Sequence, residues 1–191
     1  MATKKSRITK GIIDQFFEFN VLIPTRTIYF GGDVDPSTAE LAIKALYTLK
    51  AINAKKQITL IINTMGGCEY SAWAIYDTIK SLKLPVKTVA HGSCMSAGTI
   101  IFLAGDTRLI AENCVFMVHD GSDYAEGHRK NVERWAEFGK RYRRYAYRIY
   151  YEEMKKKNKR MTMEKVEDMC NLDTILTAKE TVKLGLATRI L

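Results

Sequence analysis

The sequence predicts an α/β fold built of repeated strand–helix units. Strand-length apolar runs alternate with stripes of helical period from Thr25 to the C-terminus. One of those runs, Gln57–Asn63, is almost continuously apolar, as a strand covered on both faces requires. Hydrophobic residues make up 47% of the chain and there are three prolines, so apolar material suffices for a packed core.

Each element follows from a local pattern. Thr25–Gly31 predicts a strand with Ile28 and Phe30 on one side. Pro36 opens a helix with Ser37 and Thr38 in its first turn, and Leu41, Ala45, Leu46 and Leu49 carry its stripe to about Ala54. After the strand Gln57–Asn63, Thr64-Met65-Gly66-Gly67 breaks the run. Ala72, Ile75, Tyr76, Ile79 and Leu82 mark a helix that ends before Pro85. Val86–His91 alternates as a strand, Gly92–Gly98 is a turn of small residues around Ser96, and Thr99–Ala104 is a short buried helix. Thr107–Ile110 and Val115–His119 are further strands. Arg129–Lys157 reads as one long helix, with Trp135, Phe138, Tyr142, Tyr145 and Ile149 forming an aromatic seam and basic residues on its other sides. Its length and polarity predict that it projects and that the seam packs against something. A helix from Met163 to about Cys170, an Asp-bearing connection, a helix Ala178–Leu184 stopped by Gly185, and a strand Ala187–Leu191 complete the chain.

At 191 residues the chain accommodates one domain, or a domain with an appendage; the division expected is an N-terminal segment 1–24 and a domain 25–191. No apolar run approaches the roughly 18–20 residues of a membrane span. Met1–Arg7 is basic, but Asp14 and Glu18 follow it without a long apolar stretch, so no secretory signal is expected. Cys68, Cys94, Cys114 and Cys170 show no paired spacing, which predicts reduced thiols in a cytoplasmic protein and no metal site. The net charge is +9, and Arg129–Arg160 holds 13 Lys/Arg against 4 Asp/Glu, so the basic character belongs to one segment. That segment reads as a solvated helix face, or as an electrostatic site for nucleic acid or an acidic protein, since Arg and Tyr interleave there.

Ser96 stands where a strand gives way to a buried helix. A hydroxyl there meets unpaired N–H groups and the positive end of the helix dipole. Such a serine is more often an N-cap; as a nucleophile it needs a base, a group to orient the base, and donors for the oxyanion. Of the three histidines, His91 lies within a strand and His128 in a polar loop. His119 ends an apolar strand, a common way to place a titratable group at a pocket; the alternative is a half-buried ring bonded to a carbonyl. Asp173 lies between two helices, as a turn carboxylate or as a partner for a base. Gly66-Gly67 permits positive φ and close backbone approach to a ligand, or is simply a tight turn. Neither a dinucleotide fingerprint nor a P-loop is present, so a nucleotide site is not supported.

Together these segments resemble a family. Ile62-Asn63-Thr64-Met65-Gly66-Gly67 resembles the I-N-S-P-G-G segment of ClpP, the proteolytic subunit of the Clp protease. Ala74–Ile79 is similar to its S-I-Y-D-T-M helix, Gly92–Gly98 to its G-Q-A-A-S-M-G turn, Phe116–His119 to its V-M-I-H strand, and Asn171–Glu180 with Gly185-Leu186 to its C-terminal motif. The order and spacing match from about Thr25 onward. The resemblance implies a ClpP/crotonase-like spiral of ββα units, with residues 129–157 as the handle helix that joins rings. It implies a serine-type endopeptidase: Ser96 as nucleophile, His119 as base, Asp173 orienting it, and the N–H groups of Gly67 and Ala97 as the oxyanion hole. Gly66, Gly121, Ser122, Asp123 and Tyr124 would bind substrate, with Ser122–Gly127 as an edge strand for extended peptide. Implied partners are a peptide or unfolded protein, copies of the chain in a heptameric ring or two stacked rings, and an AAA+ unfoldase. No cofactor is implied in the chain itself; ATP would enter only through the unfoldase.

The chain departs from the family at several points. Thr64-Met65 replaces Ser-Pro, Asp120-Gly121 replaces Gln-Pro after the histidine, and Ala97 replaces Met. The loop from Ser122 carries Asp123 and Glu126 and one of the usual glycines, and the handle is longer and more basic. Two other readings stand beside the peptidase: a weakly active ring scaffold or regulatory paralogue, and a crotonase-like acyl-CoA enzyme on the related fold.

Overall fold

The computed structural model describes residues 11, 14, 16–122 and 124–191. Asp123 and most of the N-terminal segment, including Met1–Arg7, lie outside the described residues. The order is β1 (Val21–Leu22), a 3-10 turn (Ile23–Thr25), β2 (Thr27–Gly31), α1 (Pro36–Ile52), β3 (Ile58–Thr64), α2 (Glu69–Leu82), β4 (Val86–Met95), α3 (Ala97–Leu103), β5 (Thr107–Ile110), β6 (Val115–Val118), α4 (Arg129–Tyr142), α5 (Arg144–Lys157), α6 (Met163–Cys170), β7 (Thr174–Leu176), α7 (Ala178–Leu184) and β8 (Arg189–Ile190).

The units β2–α1–β3, β3–α2–β4 and β4–α3–β5 each join parallel neighbours through a helix, so the middle of the sheet runs in one direction. Antiparallel pairs occur at β1–β2 and β6–β7. Ile28 and Phe30 of β2 are buried, as expected, beside Ile58, Leu60 and Ile62 of β3. The alternate residues of β3 are half-buried, so its cover is less complete on one face than the apolar run predicts. In α1 the core face is Ala39, Ala42, Ala45, Leu46 and Leu49, while Leu41 points outward. Asp35 caps this helix: its Oδ1 accepts from the Thr38 N–H at 2.8 Å.

The strand expected at Val86–His91 runs on to Met95, because Ser93–Met95 pair with β6. The strand expected at Ala187–Leu191 is shorter, Arg189–Ile190, beside β5. The single long helix expected from Arg129 to Lys157 is interrupted at Arg143 into α4 and α5, though Arg143 keeps helical φ and ψ and its N–H still donates to the Gly139 carbonyl at 3.0 Å. Gly139, a poor helix former, lies one turn before the break. Arg143 is held there by Asp120, whose Oδ2 accepts from its Nη1 at 2.8 Å.

The two halves differ. α4 is exposed or half-buried along its length. α5 buries Ala146, Tyr147, Ile149, Tyr150 and Met154 and packs on α3 and α6. Only the first half therefore stands clear of the core. Part of the aromatic seam is satisfied within the chain: rings touch in series from Trp135 through Phe138 and Tyr142 to Tyr145. Tyr142 and Tyr145 reach Tyr70 and Trp73 of α2. Ile149 turns into the core instead. Arg108 ties α5 to the C-terminal elements, with Nη2 donating to Glu153 at 2.7 Å and Nε to the Leu186 carbonyl at 2.7 Å. Among the described residues, no helix is long and apolar enough to cross a membrane.

Candidate active site

Ser96 owes its position to a strand that changes partners. Residues Lys87–Ala90 of β4 pair with β5, and Ser93–Met95 pair with β6. Between these stretches β4 gains residues relative to β3: Ile62 faces Ala90, but Thr64 faces Cys94. The surplus forms a bulge that bends the strand. Gly92 sits in the bend at φ +57°, where an added Cβ would lie 2.7 Å from Asn63 Oδ1. That same oxygen accepts from the Ser93 N–H at 3.1 Å, so Asn63 closes the bulge.

Beyond Met95 the chain reverses at one residue. Ser96 has φ +50° and ψ −126°, a region that residues with a Cβ rarely occupy, and α3 starts at Ala97. Ser96 precedes the helix, yet among the described residues its hydroxyl makes no capping bond. It pairs with His119 instead: Ser96 Oγ and His119 Nε2 are 2.7 Å apart. This excludes the N-cap reading of the serine.

His119 follows the last residue of β6, and the expected connection before α7 contains a further strand, β7. In the antiparallel pair Val118 faces Thr174, which brings His119 and Asp173 together. His119 Nδ1 lies 3.0 Å from Asp173 Oδ1. A carboxylate only accepts, so Nδ1 carries the proton, and Nε2 of the neutral ring is left to accept from the Ser96 hydroxyl. The side chains of His119 and Asp173 are 25% and 65% exposed, so the pair opens to solvent on the carboxylate side.

Backbone donors stand nearby. Val34 bridges to Gly67 through the Gly66 carbonyl (2.8 Å) and the Cys68 N–H (2.6 Å), which turns the Gly67 N–H to the opposite side. The Ala97 N–H is at the first turn of α3, where a helix offers no acceptor of its own. Gly66 lies against the serine: a Cβ added to it would sit 2.7 Å from Ser96 Cβ and 3.2 Å from its Oγ. Thr64, standing where the family has Ser, keeps the hydroxyl function, with Oγ1 accepting from the Gly66 N–H at 3.0 Å.

The chain from Gly121 to Gly127 forms no strand among its described residues, so the expected edge strand Ser122–Gly127 is not formed here. Tyr124 is fully exposed and its hydroxyl bonds Glu126. An edge strand needs a partner to pair with, and this loop has none among the described residues. His91 and His128 are both exposed on the surface. Several residues that shape the site escape sequence reasoning: Asn63 at the bulge, Thr99 behind Ser96, and Asp120 beside His119. The change from Gln-Pro to Asp-Gly after His119 is the one signal that marks Asp120.

The parallel strands β4 and β6 deliver Ser96 and His119 at their carboxyl ends, within a ClpP-like α/β fold. A solved structure of an Asn-to-Asp variant of ClpP1 from Listeria monocytogenes shares the architecture. It has a TM-score of 0.79 and 28% identity, covering 89% of this chain and 93% of that one. The sequence model of the Clp protease family matches residues 12–191, starting ahead of Thr25. The chain belongs to the Clp protease family, and its activity class is that of a protease.

Proposed function

We propose that the chain is a serine endopeptidase that hydrolyses peptide bonds through an acyl-enzyme, inside a chamber made of its own copies. The carrying observation is the continuous chain Ser96 Oγ–His119 Nε2–His119 Nδ1–Asp173 Oδ1, at 2.7 and 3.0 Å. Ser96 attacks the scissile carbonyl while His119 takes its proton. The N–H groups of Gly67 and Ala97 receive the oxyanion. His119 then passes the proton to the leaving amine, and water, deprotonated by the same ring, releases the acyl group. Asp173 holds the ring in the required tautomer and stabilises the imidazolium.

On this reading Gly66, Gly121, Ser122 and Tyr124 bind an extended peptide or unfolded protein. Leu172 and Ile175, 79% and 67% exposed beside Asp173, are apolar side chains that an assembly of copies would cover. A heptameric ring, single or stacked with a second, is the assembly proposed; an AAA+ unfoldase as feeder remains part of the same proposal.

The test is labelling of the assembled protein by a fluorophosphonate. Adduct on Ser96, lost in Ser96→Ala, is the expected result. Native, assembled protein that takes no label would overturn the reading, and turnover of a thioester without peptide cleavage would favour the acyl-CoA alternative.

A further inference from the structure

Arg143, Tyr147 and Tyr150 follow one another at spacings of four and three, along one stripe at the start of α5. Each reaches toward the candidate site. Arg143 Nη1 donates to Asp120 Oδ2 at 2.8 Å, and the Tyr147 hydroxyl donates to Asp120 Oδ1. The Asp120 N–H donates to the Cys170 carbonyl at 2.7 Å, so the residue after His119 is fixed at backbone and side chain together. The Tyr150 hydroxyl lies 2.6 Å from Thr99 Oγ1. Thr99 in turn donates to the Ser96 carbonyl twice, from Oγ1 at 2.6 Å and from its N–H at 2.9 Å. Tyr150 and Thr99 are buried, so their bond does not compete with bulk water, while the bonds to Asp120 are part-buried.

We propose that this stripe of α5 is a positioning device that holds the Ser96 turn and the His119 loop at a fixed separation. None of its residues touches the reacting atoms. Their effect comes from anchoring two separate loops to one rigid helix, which sets the Oγ–Nε2 distance more firmly than either loop does alone. Ser96 also needs such support, because its backbone conformation persists only where surrounding contacts over-determine it. The arrangement belongs to this chain's own residues: Asp120 stands where the resembling family carries Gln.

The inference rests on the peptidase reading of Ser96, and the experiment separates the two. In the assembled full-length protein, Tyr147→Phe and Thr99→Val each lower the fluorophosphonate labelling rate and kcat on a fluorogenic peptide by about tenfold, with KM unchanged within about twofold. Thr99→Ser, which restores the hydroxyl, recovers most of the rate. Arg148→Gln, on an exposed position of the same helix, changes neither. Wild-type rates in both Tyr147→Phe and Thr99→Val would overturn the proposal. If the parent protein takes no label, the peptidase reading fails by itself. Crystal structures of the two variants then decide the positioning claim: loss of the Ser96–His119 hydrogen bond sustains it, and its retention overturns it.

Discussion

His119 and Asp173 stand opposite one another, one step beyond the last paired residues of β6 and β7, Val118 and Thr174. Their contact is thus a continuation of sheet register rather than of loop packing. Asp173→Asn keeps the shape but reverses the hydrogen-bond demand on Nδ1. Such a change costs about 10⁴ in kcat where the carboxylate is buried. Asp173 is 65% exposed in the lone chain, and water shares its work, so the expected loss is smaller, on the order of 10²-fold. Steady-state kinetics on a peptide substrate measure it; an unchanged kcat removes Asp173 from the role.

Ser96 offers a stability test that is separate from activity. Ser96→Ala and Ser96→Gly both remove the hydroxyl and both abolish labelling. Only glycine relaxes a residue held at φ +50° and ψ −126°. The glycine variant is expected to exceed the alanine variant by about 1 kcal/mol, a shift of a few degrees in Tm. Equal melting temperatures would mean that the turn is not strained.

Gly66 and Gly67 respond differently to one added methyl group. In Gly66→Ala, at φ +111°, the new Cβ meets Ser96 Cβ at 2.7 Å and the Met95 carbonyl at 3.0 Å, so the Ser96 turn itself must shift, and labelling falls at least about tenfold. In Gly67→Ala the clash is with the Val34 carbonyl at 2.4 Å, which is backbone and cannot step aside. That variant is expected to lose about 1–3 kcal/mol and to melt lower than Gly66→Ala. Denaturant titration alongside labelling distinguishes the two, and an identical pair of profiles contradicts the geometry.

The four free thiols divide by environment. A hydrogen bond from Ser71, the leading cause, holds the Cys68 thiol below its ordinary value, and the residue is partly exposed. It is expected to react first with a maleimide near neutral pH. Burial pushes Cys114 up to about 11 and Cys170 up to about 12, and Cys94 well above 9.0. In the unfolded chain these thiols lose protons near pH 8.5–9, roughly, while the folded protein keeps them. The unfolded state therefore binds fewer protons above that point, and stability declines from about pH 9 upward. The urea midpoint between pH 8 and pH 11 should fall; a flat profile counts against burial of these groups.

What the sequence conveys, and what it withholds, follows from the range of each interaction. The strands and helices from Thr25 to Leu103 are legible because apolar period and local stops, such as Pro36 and Pro85, mark them directly. Ser96, His119 and Asp173 are legible as candidates from their place at element ends and from motif order. β7 is not, since Thr174-Ile175-Leu176 is too short to show a period. The break at Arg143 is equally hidden: it has no proline, and its anchor Asp120 is distant in sequence. The bulge at Gly92 depends on Asn63 of another strand, which no local pattern reveals. The loop after Gly121 reads as an edge strand only by likeness to a family, and pairing is what it lacks.

The partner change within β4 has a consequence for how this protein can diverge. From Gly92 to Ser96 the direction of each side chain is set by counting residues out from the bulge, so one residue more or less turns the hydroxyl to the other face. The length of this stretch is therefore constrained independently of the side chains it carries. An insertion or deletion in this stretch is expected to abolish labelling of Ser96. Anyone transplanting the nucleophile into another scaffold must move Asn63–Gly67 and Gly92–Gly98 together as one cassette.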